Sequence, residues 1–327
     1  MISRTLARLA GIALVALVAA PGYAQEGAAR NFPSRPVHII VGYGAGGGND
    51  MVVRLLSGKL SEGLGQPVVV ENKPGAQSII GAQYVAKAAP DGHTLLMGPS
   101  GTMTVNPAIY AKLPYSPLRD FVPISMIGTF PLIIMVNPSL PVKSFRELVE
   151  YGKARPNQVY YASASAAFQL AAELFNQKTG SRFVHVPYKS AAEILQAVVS
   201  AQVTMAVVDL PPMTGALKSG AVRALAVLAA KRHPSWPDLP SAAEAGLPDI
   251  EVTIFQGLFA PIGTPPSIVK RLQEEVARVV RLPDIRERLD NLGVDPSGST
   301  SEEFGRLVAS DLAKWTAVAK AGNIKAD

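Results

Sequence analysis

From residue 37 to the end of the chain, short apolar runs alternate with longer amphipathic ones. Val37–Val41, broken only by His38, predicts a buried strand. The segment Gly42-Tyr43-Gly44-Ala45-Gly46-Gly47-Gly48 follows it directly. Over residues 50–64, Met51, Val52, Leu55, Leu56 and Leu60 recur at helical spacing, and Gly63 and Gly65 close the pattern. Residues 67–70 predict the next strand, 72–75 a turn, 81–89 a helix stopped by Pro90-Asp91-Gly92, and 94–98 a third strand. This β-α-β-α-β order predicts a doubly wound α/β sheet with parallel strands.

The middle of the chain repeats the plan. Leu132–Val136 and residues 159–161, 184–186, 203–208 and 223–228 predict strands, and 166–177 a helix. Ser144 with Glu147 and Ser190 with Glu193 have the spacing of capping boxes. Beyond Lys231 the connections turn proline-rich. Residues 257–260 are strand-like, and 266–281 and 301–320 are amphipathic helices, the second opened by Thr300 and Glu303. Two βαβ-rich blocks predict two similar lobes. Their expected division is 25–128 with 230–327 as lobe one and 129–229 as lobe two. The last helix, carrying Trp315, is expected to pack on lobe one.

The first residues belong to a different pattern. Arg4 and Arg8 precede an apolar stretch over 9–20, and Gly22-Tyr23-Ala24 follows, which reads as a secretory signal cleaved after Ala24. A stretch that short does not cross a bilayer, which needs about 20 residues. The expected location is therefore the periplasm. Removing residues 1–24 removes Arg4 and Arg8 and no acid, lowering the net charge from +6 to +4. That is too mild and scattered for a nucleic-acid footprint but suits a small anion. With no cysteine in 327 residues, disulfides and thiolate chemistry are excluded.

Three segments share one design, a strand, then small residues, then a helix: 42–49, 98–104 and 162–167. Ligands of open α/β sheets bind beyond such strand ends, and helix N-termini favour anions. Tight turns chosen only for packing would look the same one at a time; three together favour a shared cleft. Gly42, Gly44 and Gly47 also match the dinucleotide pattern G-x-G-x-x-G, with Glu71 where a ribose-binding acid belongs. An exported dinucleotide-binding oxidoreductase is thus the alternative, against which stands the export signal. No Lys-Ser/Thr follows the glycines as in a P-loop, and Gly98-Pro99-Ser100-Gly101 lacks the last glycine of a nucleophile elbow. His38, His93, His185 and His233 have no metal-ligand spacing and read as structural. Neither a catalytic residue nor a metal or other cofactor is expected.

A wider set of motifs resembles a known family. These are Phe32-Pro33-Ser34-Arg35-Pro36-Val37, Gly46-Gly47-Gly48-Asn49-Asp50, residues 64–76 (LGQPVVVENKPGA), residues 85–96 (VAKAAPDGHTLL), Leu113-Pro114-Tyr115, Asp120-Phe121-Val122-Pro123-Ile124, His185-Val186-Pro187-Tyr188-Lys189, Arg223-Ala224-Leu225-Ala226-Val227 and Ala260-Pro261-Ile262-Gly263-Thr264-Pro265. Together they resemble the Bug-like substrate-binding proteins of tripartite tricarboxylate transporters. The resemblance implies a two-lobed, type II-like periplasmic binding protein, a monomer, that holds a small carboxylate between its lobes. A dicarboxylate and an aromatic carboxylate are both compatible. It also implies delivery to a membrane permease of one large and one small subunit.

Carried over by the resemblance, the ligand-binding positions are Tyr43, Ala45, Gly46, Gly47 and Asn49 in the first loop, Ser163, Ala164 and Ser165 in lobe two, and Asp209 at a strand end; the strand-end design of the second loop adds Ser100 and Gly101. The first loop departs from the family's usual Pro-Phe-Ala/Pro-Pro-Gly-Gly. The lobe-two loop is shorter and lacks a His, the motif usually ending Lys-Gly ends Lys189-Ser190, and a common Trp is replaced at Phe255-Gln256. The expectation is that the 44–49 amides and the 163–165 loop clamp one carboxylate. Tyr43, Phe168 and Phe255 would form apolar walls, or would simply pack. Lys189 is either a cleft cation or a solvated one.

Overall fold

The computed structural model describes residues 31–326 apart from Lys189, Ser235, Pro248 and Thr253. The expected signal segment, residues 1–24, lies outside the described residues. Strands β1 (Val37–Val41), β2 (Val68–Asn72), β3 (Thr94–Pro99), β4 (Phe121–Phe130), β10 (Ile254–Pro261) and β11 (Asp295–Pro296) form one sheet in the order β11-β4-β10-β3-β1-β2. Strands β5 (Leu132–Val136), β6 (Tyr160–Ser163), β7 (Val184–Pro187), β8 (Met205–Asp209) and β9 (Arg223–Val227) form the other, ordered β7-β6-β8-β5-β9.

The two orders are the same motif. Around β1 or β6 as first strand, each reads second-first-third, then one reversed strand from across the connection, then the fourth. The pairings β1·β2, β1·β3, β6·β7 and β6·β8 are parallel, while β10 and β5 run antiparallel to both neighbours. Following the pairings, four strands of each sheet point one way. Each sheet is thus mainly parallel, as expected, with one reversed strand beside the crossovers: β5, the first strand after the chain leaves lobe one, and β10, the first after it returns.

Strand alternation sorts the core. Val37, Ile39, Val41, Leu95 and Met97 face helices α1 (Gly48–Leu64), α9 (Pro266–Val280) and α10 (Pro283–Asn291). Ile40 and Leu96 face the other way, toward α2 (Ile79–Ala86) and Phe304 of α11 (Ser301–Ala321). In the second sheet Leu132, Ile134 and Val136 face α5 (Phe145–Lys153) and α6 (Ala166–Thr179). Ile133 and Met135 face α7 (Ala191–Val199). Short helices α3 (Asn106–Ile109), α4 (Pro117–Asp120) and α8 (Thr214–Lys218), a π-helical turn, Gly101–Val105, and a 3-10 turn, Pro211–Met213, complete the described elements.

Trp315 corrects one expectation. Phe304 and Val308 of α11 lie in the lobe-one core, but Trp315, Val318 and Ala319 pack with Leu132, Tyr161 and Phe175. The helix therefore spans both sheets. Among the described residues, no helix is long and apolar enough to cross a membrane.

Candidate ligand-binding cleft

Register places the loops before any side chain is considered. Val41 pairs with Asn72 and Met97, so β1, β2 and β3 end at one edge. Gln256 lies opposite Pro99 and Gly128, bringing the start of β10 and the end of β4 to that same edge. In the second sheet Ser163 ends level with Pro187, and Asp209 lies opposite Leu132, the first residue of β5. Because β4 stops at Phe130 and β5 starts at Leu132, the single residue Pro131 joins the two edges, at most ~7 Å of chain from one strand to the next. The strand-end loops of both sheets therefore meet at the crossover, where open α/β sheets bind ligands.

The first loop is bare backbone. Gly44, Ala45, Gly46, Gly47 and Gly48 are exposed, and a Cβ at Gly44, Gly46 or Gly48 would meet nothing within 4 Å. Only Gly46 needs a left-handed backbone, at φ +79°. The N–H groups of Gly48 and Asn49 find no acceptor among the described residues and open a 17-residue helix, at its positive end.

Beneath the loop sits a lock that the sequence reading missed. Asp50 is buried. Arg54 Nε donates to both its oxygens at 3.0 and 2.9 Å, and Asn72 Nδ2 donates to Oδ1 at 2.9 Å. The Gly46 N–H donates to Oδ2 at 2.9 Å, and Asn72 Nδ2 also donates to the Tyr43 carbonyl at 3.0 Å. The Arg54 hydrogen bonds, with those from Gly46 and Asn72, outweigh burial and lower the Asp50 carboxyl to about 2. The Gly46 amide, expected at the ligand, is thus committed to Asp50. An acid in the first helical turn with Arg four residues on was the available signal.

The second loop touches the first. Tyr43 Oη lies 3.4 Å from Thr102 Oγ1, and burial raises its phenol above the ordinary value. A Cβ at Gly101 would stand 3.4 Å from the same hydroxyl. Ser100 is buried and accepts the Phe255 N–H at 2.7 Å, so its hydroxyl holds β10 in place instead of facing a ligand. Phe255 is also corrected. It is fully buried, edge-on to Phe304 at 5.2 Å, so it belongs to the lobe-one core and forms no cleft wall. Alternation turns Gln256 to the other face, where its Nε2 donates to Asn49 Oδ1 at 2.6 Å.

On the lobe-two side, Ser163 is buried with its hydroxyl 2.8 Å from His185 Nε2, and burial holds that imidazole below its usual pKa. Its hydroxyl is therefore turned into the sheet. Ser165 is exposed and caps α6, accepting the Phe168 N–H at 3.3 Å. Ala164 is half-buried, and Phe168 packs partly against the lobe-two core. Asp209 is half-buried, and burial raises its carboxyl above the ordinary range. Lys189 lies outside the described residues. A cavity of about 340 Å³ borders the crossover, lined by Pro131 and Leu210, with Lys218 from one lobe and Asp290 from the other.

The features of the competing chemistry are otherwise engaged. Glu71 is bound by His38 and faces Lys73 Nζ at 3.6 Å. His233 Nε2 lies 3.0 Å from Asp295 Oδ1, and His93 Nδ1 lies 3.1 Å from the Asp91 carbonyl.

The profile of the Tripartite tricarboxylate transporter family receptor matches residues 52–324. The chain belongs to this family. Its members are periplasmic solute-binding receptors and not enzymes, which removes the oxidoreductase alternative. BugT of Bordetella pertussis is 32% identical over 306 residues, 93% of this chain and 94% of BugT. MatC of Rhodopseudomonas palustris, solved with bound malate, is 34% identical with TM-score 0.71, covering 88% of this chain and 99% of MatC. An R. palustris protein solved with adipate is 35% identical with TM-score 0.75, covering 90% of this chain and 99% of its own. The tripartite tricarboxylate transporter receptor fold is thus shared over nearly the whole described chain.

Proposed function

We propose that this receptor captures a small carboxylate between its lobes and hands it to a two-subunit membrane permease. The observation that carries the reading is the open glycine loop, with the unpaired N–H groups of Gly48 and Asn49 where the two sheet edges meet. Relatives solved with malate and adipate support it. One jaw comprises residues 25–128 and 230–327, presenting Tyr43, Ala45, Gly47, Asn49 and Gly101. The other, 129–229, presents Ala164, Ser165, Phe168 and Asp209. Residues 1–24 are removed on export, and the mature receptor is a monomer.

Magnitudes explain why two jaws are needed. Micromolar capture requires about −8 kcal/mol. One helix N-terminus supplies ~0.3–2 kcal/mol. Several charge-assisted hydrogen bonds of ~1.5–3 kcal/mol each, contributed from both sides of a cleft that closes over the ligand, reach that total. Calorimetry against aliphatic and aromatic carboxylates, with mass spectrometry of ligand released from purified protein, tests this. Micromolar binding of at least one carboxylate is expected. Saturable binding of uncharged solutes alone would overturn the reading.

A further inference from the structure

We propose that Gln256 is a specificity-determining residue that reads a hydrogen-bond donor, an O–H or N–H, on the carbon beside the bound carboxylate. The inference rests on the carboxylate reading above. Gln256 is 3% exposed and opens the pairing of β10 with β3 at the cleft edge, opposite Pro99. Its Nε2 is used, donating to Asn49 Oδ1 at 2.6 Å. Its Oε1 is buried with no partner among the described residues. A buried carbonyl left unpaired forfeits a hydrogen bond it had in water, so a ligand that supplies a donor is favoured by that missing bond.

The placement makes the donor's position specific. Asn49 is the second residue of α1, and the N–H groups of Gly48 and Asn49 are open beside it. A carboxylate satisfies those N–H groups. The neutral acceptor next to them then meets whatever the adjoining carbon carries. A hydrogen there leaves Oε1 unpaired, a keto oxygen opposes it, and a hydroxyl or ammonium pairs with it. The aromatic wall expected at Phe255 is thereby replaced by a polar reader at its neighbour.

Calorimetry with unsubstituted C3–C6 mono- and dicarboxylates, each beside its 2-hydroxy, 2-amino and 2-oxo counterpart, tests the inference. Wild type is expected to bind a 2-hydroxy or 2-amino member at least about tenfold more tightly than its parent acid, and the 2-oxo member no better than the parent. In Gln256→Leu the preference falls to within about twofold, whatever the affinity left for the parent acid. Gln256→Glu, which keeps an acceptor, retains the preference as overall anion affinity falls, and thermal melts confirm both variants fold. Equal binding of parent and donor-bearing acids, tighter binding of the 2-oxo member, or a preference that survives Gln256→Leu overturns the inference alone. A wild type that binds no carboxylate overturns both it and the reading beneath it.

Discussion

Gly44, Gly46 and Gly47 stand within four residues, yet they are glycine for different reasons. Gly44 has an ordinary φ and empty space before its Cα, while Gly46 sits at φ +79° with its N–H on Asp50. Gly47 lies close to the Gly44 carbonyl, 3.4 Å from a would-be Cβ. A side chain at Gly44 therefore meets only what comes from solvent. Gly44→Val should melt like wild type and lose at least about tenfold in carboxylate affinity. Gly46→Ala should cost ~1–2 kcal/mol in urea denaturation because alanine resists the left-handed region. Unchanged affinity in Gly44→Val would remove this loop from the ligand's path. The glycine content of the loop was legible in the sequence, but its division into open and strained positions was not, since it depends on the carboxylate of Asp50 beneath.

At the scale of elements, β1 and β5 have the boundaries that the apolar pattern predicts, and Thr300 and Glu303 form the capping box that their spacing predicts. The cap at Ser144 differs: its oxygen accepts the Glu147 N–H, but Glu147 reaches the N–H of Lys143. β4 escaped the sequence reading because Pro123, Ser125 and Gly128 interrupt its alternation. α10 escaped because only Ile285 and Leu289 are buried in a strongly charged segment. The start of α1 carries a pH prediction. Asp50 is held at about 2 when folded, against 3.8 as its ordinary value. A depressed carboxyl contributes stability that is fully present above about pH 4 and is lost as pH falls from 4 toward 2. Thermal melts across that range should show wild type losing stability more steeply than Asp50→Asn, which starts lower at neutral pH. Parallel slopes would mean that the Arg54–Asn72 lock contributes nothing.

For the whole molecule, α11 is the element that joins the two cores. Trp315 is fully buried against lobe-two residues, and its Nε1 donates to Asp311 Oδ2 at 2.9 Å. Thr104 Oγ1 donates to the same oxygen at 2.9 Å, three residues beyond Gly101 of the second cleft loop. Trp315→Ala removes one of the largest buried side chains and should cost ~3–5 kcal/mol by urea denaturation. A loss under about 1 kcal/mol would mean that the tie is unimportant. The sequence placed this helix on one lobe because an amphipathic stripe says that a face is buried without saying against what.

The amino-acid sequence by itself determined most of the strand and helix order, the two-lobed architecture, and a loop of bare backbone at the first strand end. Those follow from local signals, periods of 2 and 3.6 residues and the small residues between them. Only the tertiary structure decided which groups face the cleft. Phe255 turned inward, Ser100 bound β10, Asp50 took the Gly46 amide, and Gln256 reached Asn49 across 207 residues of sequence. Such choices are made by strand register and by the pairing of buried polar groups between distant segments. Neither leaves a periodic trace along the chain.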